Sequence, residues 1–377
     1  MTDLHLVVPS AVDDPGRPSG GNTYDRRVAE YLPSLGWTVH EHAMPGDWPQ
    51  PGGRALGTLA RVLSGFPDGA VLLVDGLVAS SAADVLLPEA GRLRIVVLVH
   101  LPLSVMDEGP SPGQPRDPSR TADAARPGGG GRLSEGERRV LSAAAAVVAT
   151  SEWTRRWLVD RLTLTPDHVV VARPGVDAAA LAPGTATGGE LLCVAAVTPA
   201  KGHDQLVSAL ALVADLDWRC VCAGSLTLEP DFVHAVREQA RRAGIADRTD
   251  LVGPLGRADL DRAYAAADLV VHASRAETYG MVVTEALARG LPVVATAVGG
   301  VPETLGTTPE GDRPGLLVGA GATEELGGAL RQWLVDPALR RRLRSLARQR
   351  RDQLTEWART AQEISEVLHQ VSGGERR

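Results

Sequence analysis

Lysine is almost missing from this chain. Of its 39 Lys and Arg residues only Lys201 is a lysine, so arginine stands wherever a positive charge alone will serve. A lysine kept against that drift points to a position that needs a compact ammonium on a flexible stem, the form in which lysine meets phosphate. Cysteine is scarce as well. Cys193, Cys220 and Cys222 are too few for a disulfide framework, and Cys220 and Cys222 alternate within Trp218 to Ala223, which puts both on one face of a strand in a packing role. Long apolar runs are also lacking: hydrophobic residues make up 44% of the 377, yet no stretch approaches the roughly 18 residues of a membrane span. No basic segment precedes the first apolar strand, so no secretory signal is expected and the location expected is cytoplasmic. The net charge of −7, with acids interspersed among arginines, argues against nucleic acid as the main partner. Local basic faces leave peripheral membrane contact open.

What is present is an alternation of short apolar runs with helical stretches. Leu4 to Pro9, Trp37 to His42, Ala70 to Asp75, Ile95 to His100, Ala145 to Thr150 and Val169 to Ala172 read as strands of one α/β domain. A helix is expected over Thr23 to Leu35, where Tyr24, Val28, Tyr31, Leu32 and Leu35 fall at helical spacing, with Gly20-Gly21 in the loop before it. That order of strand, glycine loop and helix suits anion binding as well as a plain turn. His100 ends the fourth strand, where it either meets a ligand or caps the strand. Between Asp107 and Arg132 the chain becomes Pro, Gly, Arg and Asp with almost nothing to bury, which reads as a mobile surface loop. Residues 1–178 form the first domain, 179–190 a hinge linker rich in Pro, Gly and Thr, and 191–355 a second domain. The second has strands at Leu191 to Val197, Arg219 to Ala223, Thr249 to Val252, Asp268 to His272, Pro292 to Thr296 and Gly315 to Val318. The fold class is therefore α/β: two doubly wound Rossmann-like domains with an interdomain cleft. The last segment, Pro337 to Leu368, is helical with Trp333 and Trp357 as anchors, and a C-terminal helix, 356–371, is expected to join the first domain. Arg340 to Arg342 and Arg350-Arg351 read as a solvated face.

The stretch Ser274 to Glu285 concentrates the chemistry. It lies between two buried-strand patterns, with a helix over Met281 to Arg289, so Glu277 precedes the helix and Glu285 lies about one turn inside it. Both carboxylates sit at the carboxyl end of a parallel strand, where ligands bind in such sheets. The backbone N–H groups near Thr278, Tyr279, Gly280 and Met281 are those of a helix start, suited to a phosphate. Lys201, following the first strand of the same domain, shares that rim, and Gly299-Gly300 joins it. A ligand built of sugar, diphosphate and ribose would use all of these, while two glutamates near a helix start could also merely offset its dipole.

Together these residues resemble the GT-B glycosyltransferases, and more narrowly the retaining glycosyltransferase family 4, also called the glycosyl transferases group 1. The resemblance rests on Gly20-Gly21, His100, Pro174-Gly175-Val176-Asp177, Lys201-Gly202, Glu277 with Glu285 in Ser-x-x-Glu-x-x-Gly-x-x-x-x-Glu, and Gly299-Gly300. It implies a nucleoside diphosphate sugar (UDP- or GDP-sugar) as donor substrate, no cofactor, no metal, and a small-molecule, lipid or glycan acceptor that the sequence does not identify. It also implies that Glu285 holds the donor ribose, that Glu277 holds sugar hydroxyls and His100 contacts the sugar, and that Lys201 and the start of the helix at Gly280 neutralise the leaving diphosphate while Gly20-Gly21 close its other side. One departure stands out. The family usually has an arginine five residues before the lysine, and here that residue is Ala196; Arg275, beside Glu277, is the expected substitute. The Asp215/Asp217 and Asp259/Asp261 pairs are expected on the surface rather than on a metal. Other readings are a nucleotide-sugar epimerase or phosphorylase on the same fold, and a non-catalytic sugar-nucleotide-binding protein. A dinucleotide oxidoreductase is disfavoured because no Gly-x-Gly-x-x-Gly follows either first strand.

Overall fold

The fold follows from short strands, most of them runs of Val, Leu, Ile and Ala, the pattern of strands covered on both faces, with the more polar Trp37–Met44 and Thr249–Gly253 at sheet edges. A computed structural model describes residues 2–107 and 130–373, with side chains described outside 106–134. Most of the Pro- and Gly-rich stretch expected as a loop between Asp107 and Arg132 lies outside the described residues. The chain divides into two compact units: residues 1–13, 21–175 and 357–377, and residues 14–20 and 176–356.

In the first unit the strands are Thr2–Pro9 (β1), Trp37–Met44 (β2), Val71–Asp75 (β3), Arg94–Val99 (β4), Ala146–Ala149 (β5) and Val169–Val171 (β6). They form one parallel sheet in the order β2-β1-β3-β4-β5-β6. The order reverses between β1 and β3, and the carboxyl ends of strands at such a reversal are where this topology opens a crevice. The helix expected over Thr23 to Leu35 begins earlier, spanning Gly20–Tyr31, and tightens into a 3-10 turn over Leu32–Leu35. Gly20 and Gly21 are thus the first helical residues rather than a preceding loop, and Pro33 in the last stretch withholds an N–H that an α-helix would need.

Helix Trp357–Gly373 packs on this unit. Trp37 Nε1 donates to Ser365 Oγ at 2.9 Å, Thr360 Oγ1 donates to the Arg173 carbonyl at 2.7 Å, and the Tyr24 and Trp357 rings meet edge to face at 5.7 Å. The helical segment expected over Pro337 to Leu368 consists of two helices, Pro337–Arg351 and Trp357–Gly373. Between them the Thr355 carbonyl turns out of helical pairing to accept the Val176 N–H at 2.9 Å.

The second unit repeats the plan with Glu190–Val194 (β7), Arg219–Ala223 (β8), Thr249–Gly253 (β9), Leu269–His272 (β10), Val293–Thr296 (β11) and Gly315–Val318 (β12). All are parallel, in the order β12-β11-β10-β7-β8-β9. Here the reversal falls between β7 and β10. Cys193, Cys220 and Cys222 are buried and free, with the Cys220 and Cys222 sulfurs 4.0 Å apart on one face of β8.

A buried carboxylate gathers several of the bonds that fasten the stretch 179–190 to this unit. Asp268, fully buried, accepts the Thr185 N–H at 2.6 Å, the Thr185 hydroxyl at 2.5 Å and the Glu190 N–H at 3.1 Å, and pairs with Arg344. Removing a buried charge that serves several donors leaves them unsatisfied, which costs about 3–5 kcal/mol. Asp268→Ala is therefore expected to lower the denaturation midpoint of the second unit strongly. Chemical denaturation followed by tryptophan fluorescence checks this, since Trp333, whose Nε1 donates to the Gly188 carbonyl at 2.8 Å, reports on the same segment.

Candidate functional site

At the reversal of the second sheet, β7 and β10 end side by side and deliver Lys201 and Glu277. A 3-10 turn, Pro199–Lys201, follows β7, and the loop after β10 carries Glu277 before helix Met281–Ala288. The Lys201 ammonium donates to Glu277 Oε2 at 2.7 Å, and His272 Nε2 lies 3.5 Å from the same oxygen. Burial alone would push the Glu277 carboxyl up. The Lys201 charge, followed by His272, outweighs it and holds the group well below the usual carboxylate range, so Glu277 is an ionised acceptor at any ordinary pH.

Two glycines hold the opposing loops together. Gly202, at φ 69°, brings the lysine turn so close to the β10 loop that a Cβ would overlap the Ala273 carbonyl oxygen; on the same edge the Arg275 N–H donates to the Ala200 carbonyl at 2.8 Å. Gly299, at φ 52°, does the same on the other side, where a Cβ would overlap the Glu277 carbonyl oxygen, and the Gly300 N–H donates to that oxygen at 3.1 Å. Only glycine fits both the left-handed conformation and the approach. Beyond Glu277, Thr278 and Tyr279 are buried, the Tyr279 carbonyl accepts the Thr304 hydroxyl at 2.6 Å, and Gly280 is the N-cap of the helix that Met281 begins. The first N–H groups of that helix have no carbonyl one turn behind them, and they carry the positive end of its dipole.

Glu285 lies on the same helix and has its own support. Its Oε2 accepts the Tyr264 hydroxyl at 2.7 Å, Arg289 stacks on the Tyr264 ring at 4.4 Å and donates to the Glu285 carbonyl at 3.0 Å, and Asp261 pairs with Arg289. Burial raises the Glu285 carboxyl above its ordinary value, opposed by the Tyr264 hydrogen bond and by Arg289 and assisted by Asp177 and Asp261. Tyr264 and the part played by Arg289 escaped the sequence reading, whereas Asp261 was expected on the surface and is 53% exposed. The signal for Tyr264 was a lone aromatic among the alanines and charged residues of helix Arg257–Ala266. Asp261, like Asp215 and Asp259, is paired with an arginine.

Arg275 is turned away from Glu277. Its guanidinium makes two bonds to the Asp204 carboxylate, at 2.8 and 2.7 Å, and one to the Pro199 carbonyl at 2.6 Å. It braces the lysine turn, and its charge is already matched by Asp204.

In the first unit the structure brings Gly21 and His100 together, with a Cβ on Gly21 falling 3.1 Å from His100 Cδ2. His100 Nε2 is 2.8 Å from Asp25 Oδ1 and 3.6 Å from Asp75 Oδ2, and both aspartates are buried. The segment after His100 is held by Glu137, whose buried carboxylate accepts the Leu103 and Ser104 N–H groups at 2.8 and 3.2 Å. Asp25, Asp75 and Glu137 were not singled out from sequence. For Asp75 the cue was a carboxylate at the end of an apolar strand directly before a helix, the position of an N-cap, and it accepts the Leu77 and Val78 N–H groups at 2.7 and 3.3 Å.

Two doubly wound parallel sheets, the second with a lysine–glutamate pair at its reversal, define the GT-B class of glycosyltransferase fold. Comparison with known proteins agrees. The profile described as "Glycosyltransferase Family 4" matches residues 18–180, and that described as "Glycosyl transferases group 1" matches residues 186–350. A D-inositol 3-phosphate glycosyltransferase of Kineococcus radiotolerans is 35% identical over 265 residues, 63% of this chain and 59% of the relative. One of Jonesia denitrificans is 32% identical over 256 residues, with the same two shares. The chain thus spans about 59% of the length of these relatives. Among solved structures, the sucrose-phosphate synthase of Thermosynechococcus elongatus superposes with a TM-score of 0.77 at 20% identity, covering 98% of this chain and 99% of the other. The Anabaena HepE protein in complex with UDP and glucose gives 0.73 at 19%, covering 98% and 100%. At such identities these two show the fold. The chain belongs to glycosyltransferase family 4.

Because Glu277 is partly buried and compensated chiefly by Lys201, Lys201→Met is expected to cost about 2 kcal/mol of stability at neutral pH, the penalty for leaving a carboxylate without its partner. The sign follows from the lowered Glu277 value: the pair stabilises the fold above the ordinary glutamate range and loses that contribution as pH falls through the folded-state value. The deficit of the variant should therefore narrow in acid, and Glu277→Gln added to Lys201→Met should recover most of it. Denaturant titrations of both variants across pH provide the check.

Proposed function

We propose that the protein is a glycosyltransferase that moves a hexose-type sugar from a nucleoside diphosphate sugar to an acceptor hydroxyl or amine, with retention of anomeric configuration and without a metal, in the cytoplasm. The observation that carries this reading is the Lys201–Glu277 pair at 2.7 Å beside the helix start at Gly280 and Met281. Departure of a nucleoside diphosphate needs fixed positive charge where negative charge develops, more than it needs a nucleophile. Lys201 and the helix N–H groups supply that charge without a metal. Glu277, ionised and held by its backbone, accepts hydrogen bonds from sugar hydroxyls, and Glu285 receives the two ribose hydroxyls. Gly20, Gly21 and His100 are assigned by family resemblance to the diphosphate and the sugar. Arg275 would contribute to the diphosphate only by leaving Asp204; if it does, Arg275→Ala slows donor turnover, and if turnover is unchanged while Lys201→Ala abolishes it, Ala196 marks a charge that this pocket does without.

UDP is the first nucleotide to test, because the Anabaena HepE structure is a complex with UDP and glucose. An inositol phosphate is the first acceptor, because the Kineococcus and Jonesia relatives are named for it. The commitment of Arg275 to Asp204, together with Ala196, favours as second reading a sugar-nucleotide-binding protein without transfer. Calorimetry with UDP, GDP, ADP, dTDP and NAD separates the possibilities. Selective binding of one nucleoside diphosphate, weakened about tenfold or more in Glu285→Ala by loss of charged hydrogen bonds, supports the site; binding of none, or of NAD alone, contradicts it. Donor hydrolysis then distinguishes transfer from binding.

The raised Glu285 value sets a pH dependence. The ionised carboxylate accepts ribose hydroxyls, so nucleotide affinity should fall on acidification at a pH above that at which an ordinary glutamate protonates. Glu285→Gln should flatten the profile, and Tyr264→Phe, which removes a hydrogen bond favouring the charged form, should move it to higher pH.

A further inference from the structure

The first unit holds two buried aspartates, which nothing above assigns, against the half-buried His100. Asp25 comes from helix Gly20–Tyr31, Asp75 from the end of β3 and His100 from the residue just after β4. They meet at the reversal of the first sheet, as Lys201 and Glu277 do at that of the second. Both carboxylates face a single nitrogen, His100 Nε2, at 2.8 and 3.6 Å. Asp25 Oδ2 is buried and has no hydrogen-bond partner among the described residues, so Asp25 has no other charged group to answer it there. Asp75 is fixed in place by the two backbone N–H groups that it caps.

We propose that Asp25 and Asp75 are positioning residues for His100: they bind its Nε2, set the plane of the ring against Gly21 and Tyr24, and keep the imidazole protonated, so that His100 meets the donor as a cation. This rests on the role given to His100 in the proposed function.

Two carboxylates this close to one another cannot both stay ionised out of water unless a positive charge lies between them. In the described residues that charge is the imidazolium. Burial alone would push His100 down, but the charge and hydrogen bond of Asp25, and the charge of Asp75, hold it above its ordinary value. Asp75 is pushed up to about 7 by burial and by Asp25, against His100 and its capping N–H groups. The Tyr24 ring stands edge-on to His100 at 5.2 Å, its hydroxyl committed to the Ala172 carbonyl at 2.9 Å, and Gly21 closes the Cδ2 edge. These neighbours, all in the first unit, orient the ring. A cation fixed in this way suits a ligand that gains negative charge as the sugar–phosphate bond breaks.

The sign of the pH effect is definite. The stabilisation from charged His100 is complete below the ordinary histidine value and is lost as pH rises through the raised value. Removing either carboxylate charge brings that loss to lower pH.

The test is the titration of His100 in the unliganded full-length protein, followed by NMR of the imidazole carbon–proton pairs and assigned by the signal missing in His100→Gln. In the wild type the His100 signal should titrate above the ordinary histidine range, and in Asp25→Asn its midpoint should fall by about 1–3 pH units, the usual influence of one adjacent opposite charge. Asp75→Asn, whose amide oxygen can still accept the capping N–H groups, should lower it less and serves if Asp25→Asn does not fold. In donor hydrolysis the alkaline limb of the rate profile should move to lower pH in both variants. A His100 midpoint at or below the ordinary range, one unmoved by both substitutions, or a tightly bound divalent metal recovered with the protein and lost in Asp25→Asn would overturn the proposal. The titration needs no ligand, so its outcome is independent of whether the protein binds a sugar nucleotide.

Discussion

The second unit is organised around one ion pair. Lys201 and Glu277 leave adjacent strands at the only place where the sheet order reverses, and each is carried by a loop pressed against its neighbour by a glycine that no other residue could replace. Parallel strands leave their carboxyl ends together, and the reversal sends the following helices to opposite faces, which opens a gap at that edge. The pair spans the gap. It is expensive to bury two charges in this way, and no packing requirement of the core calls for a lysine there. Function is the better reason for a chain that otherwise uses arginine to keep it.

Around that pair the supporting residues divide by task. Gly202 and Gly299 set the distance between backbones, Asp204 and Arg275 brace the lysine turn, and Tyr264, Arg289 and Asp261 hold Glu285 from behind. The two glutamates thus differ in more than position. Glu277 faces a cation and stays ionised, while Glu285 faces a neutral hydroxyl and titrates more easily. One is suited to a constant electrostatic role and the other to recognition of hydroxyls.

Much of this was legible in the sequence because its strongest signals are local. Short apolar runs between helical stretches give the strands of the described residues, two of them, Arg219–Ala223 and Gly315–Val318, with the expected ends. Lys201, Glu277 and Glu285 stand out by composition and by their place after such runs. What escaped depends on contacts between residues far apart in the chain. Arg275 sits beside Glu277 in sequence, yet Asp204, 71 residues away, takes its charge. Asp25 is one residue from the apolar stripe of its helix and shows its purpose only when β3 and β4 bring Asp75 and His100 beside it.

The central claim is that the rim from Glu277 to Glu285, with Lys201, receives a nucleoside diphosphate. Amide hydrogen exchange with and without UDP-glucose and GDP-glucose tests it directly. One of these should slow exchange in the peptides that carry Lys201 and the Gly280–Glu285 helix start, and the slowing should disappear in Lys201→Ala. Protection confined to other parts of the chain, or unchanged in that variant, would contradict it.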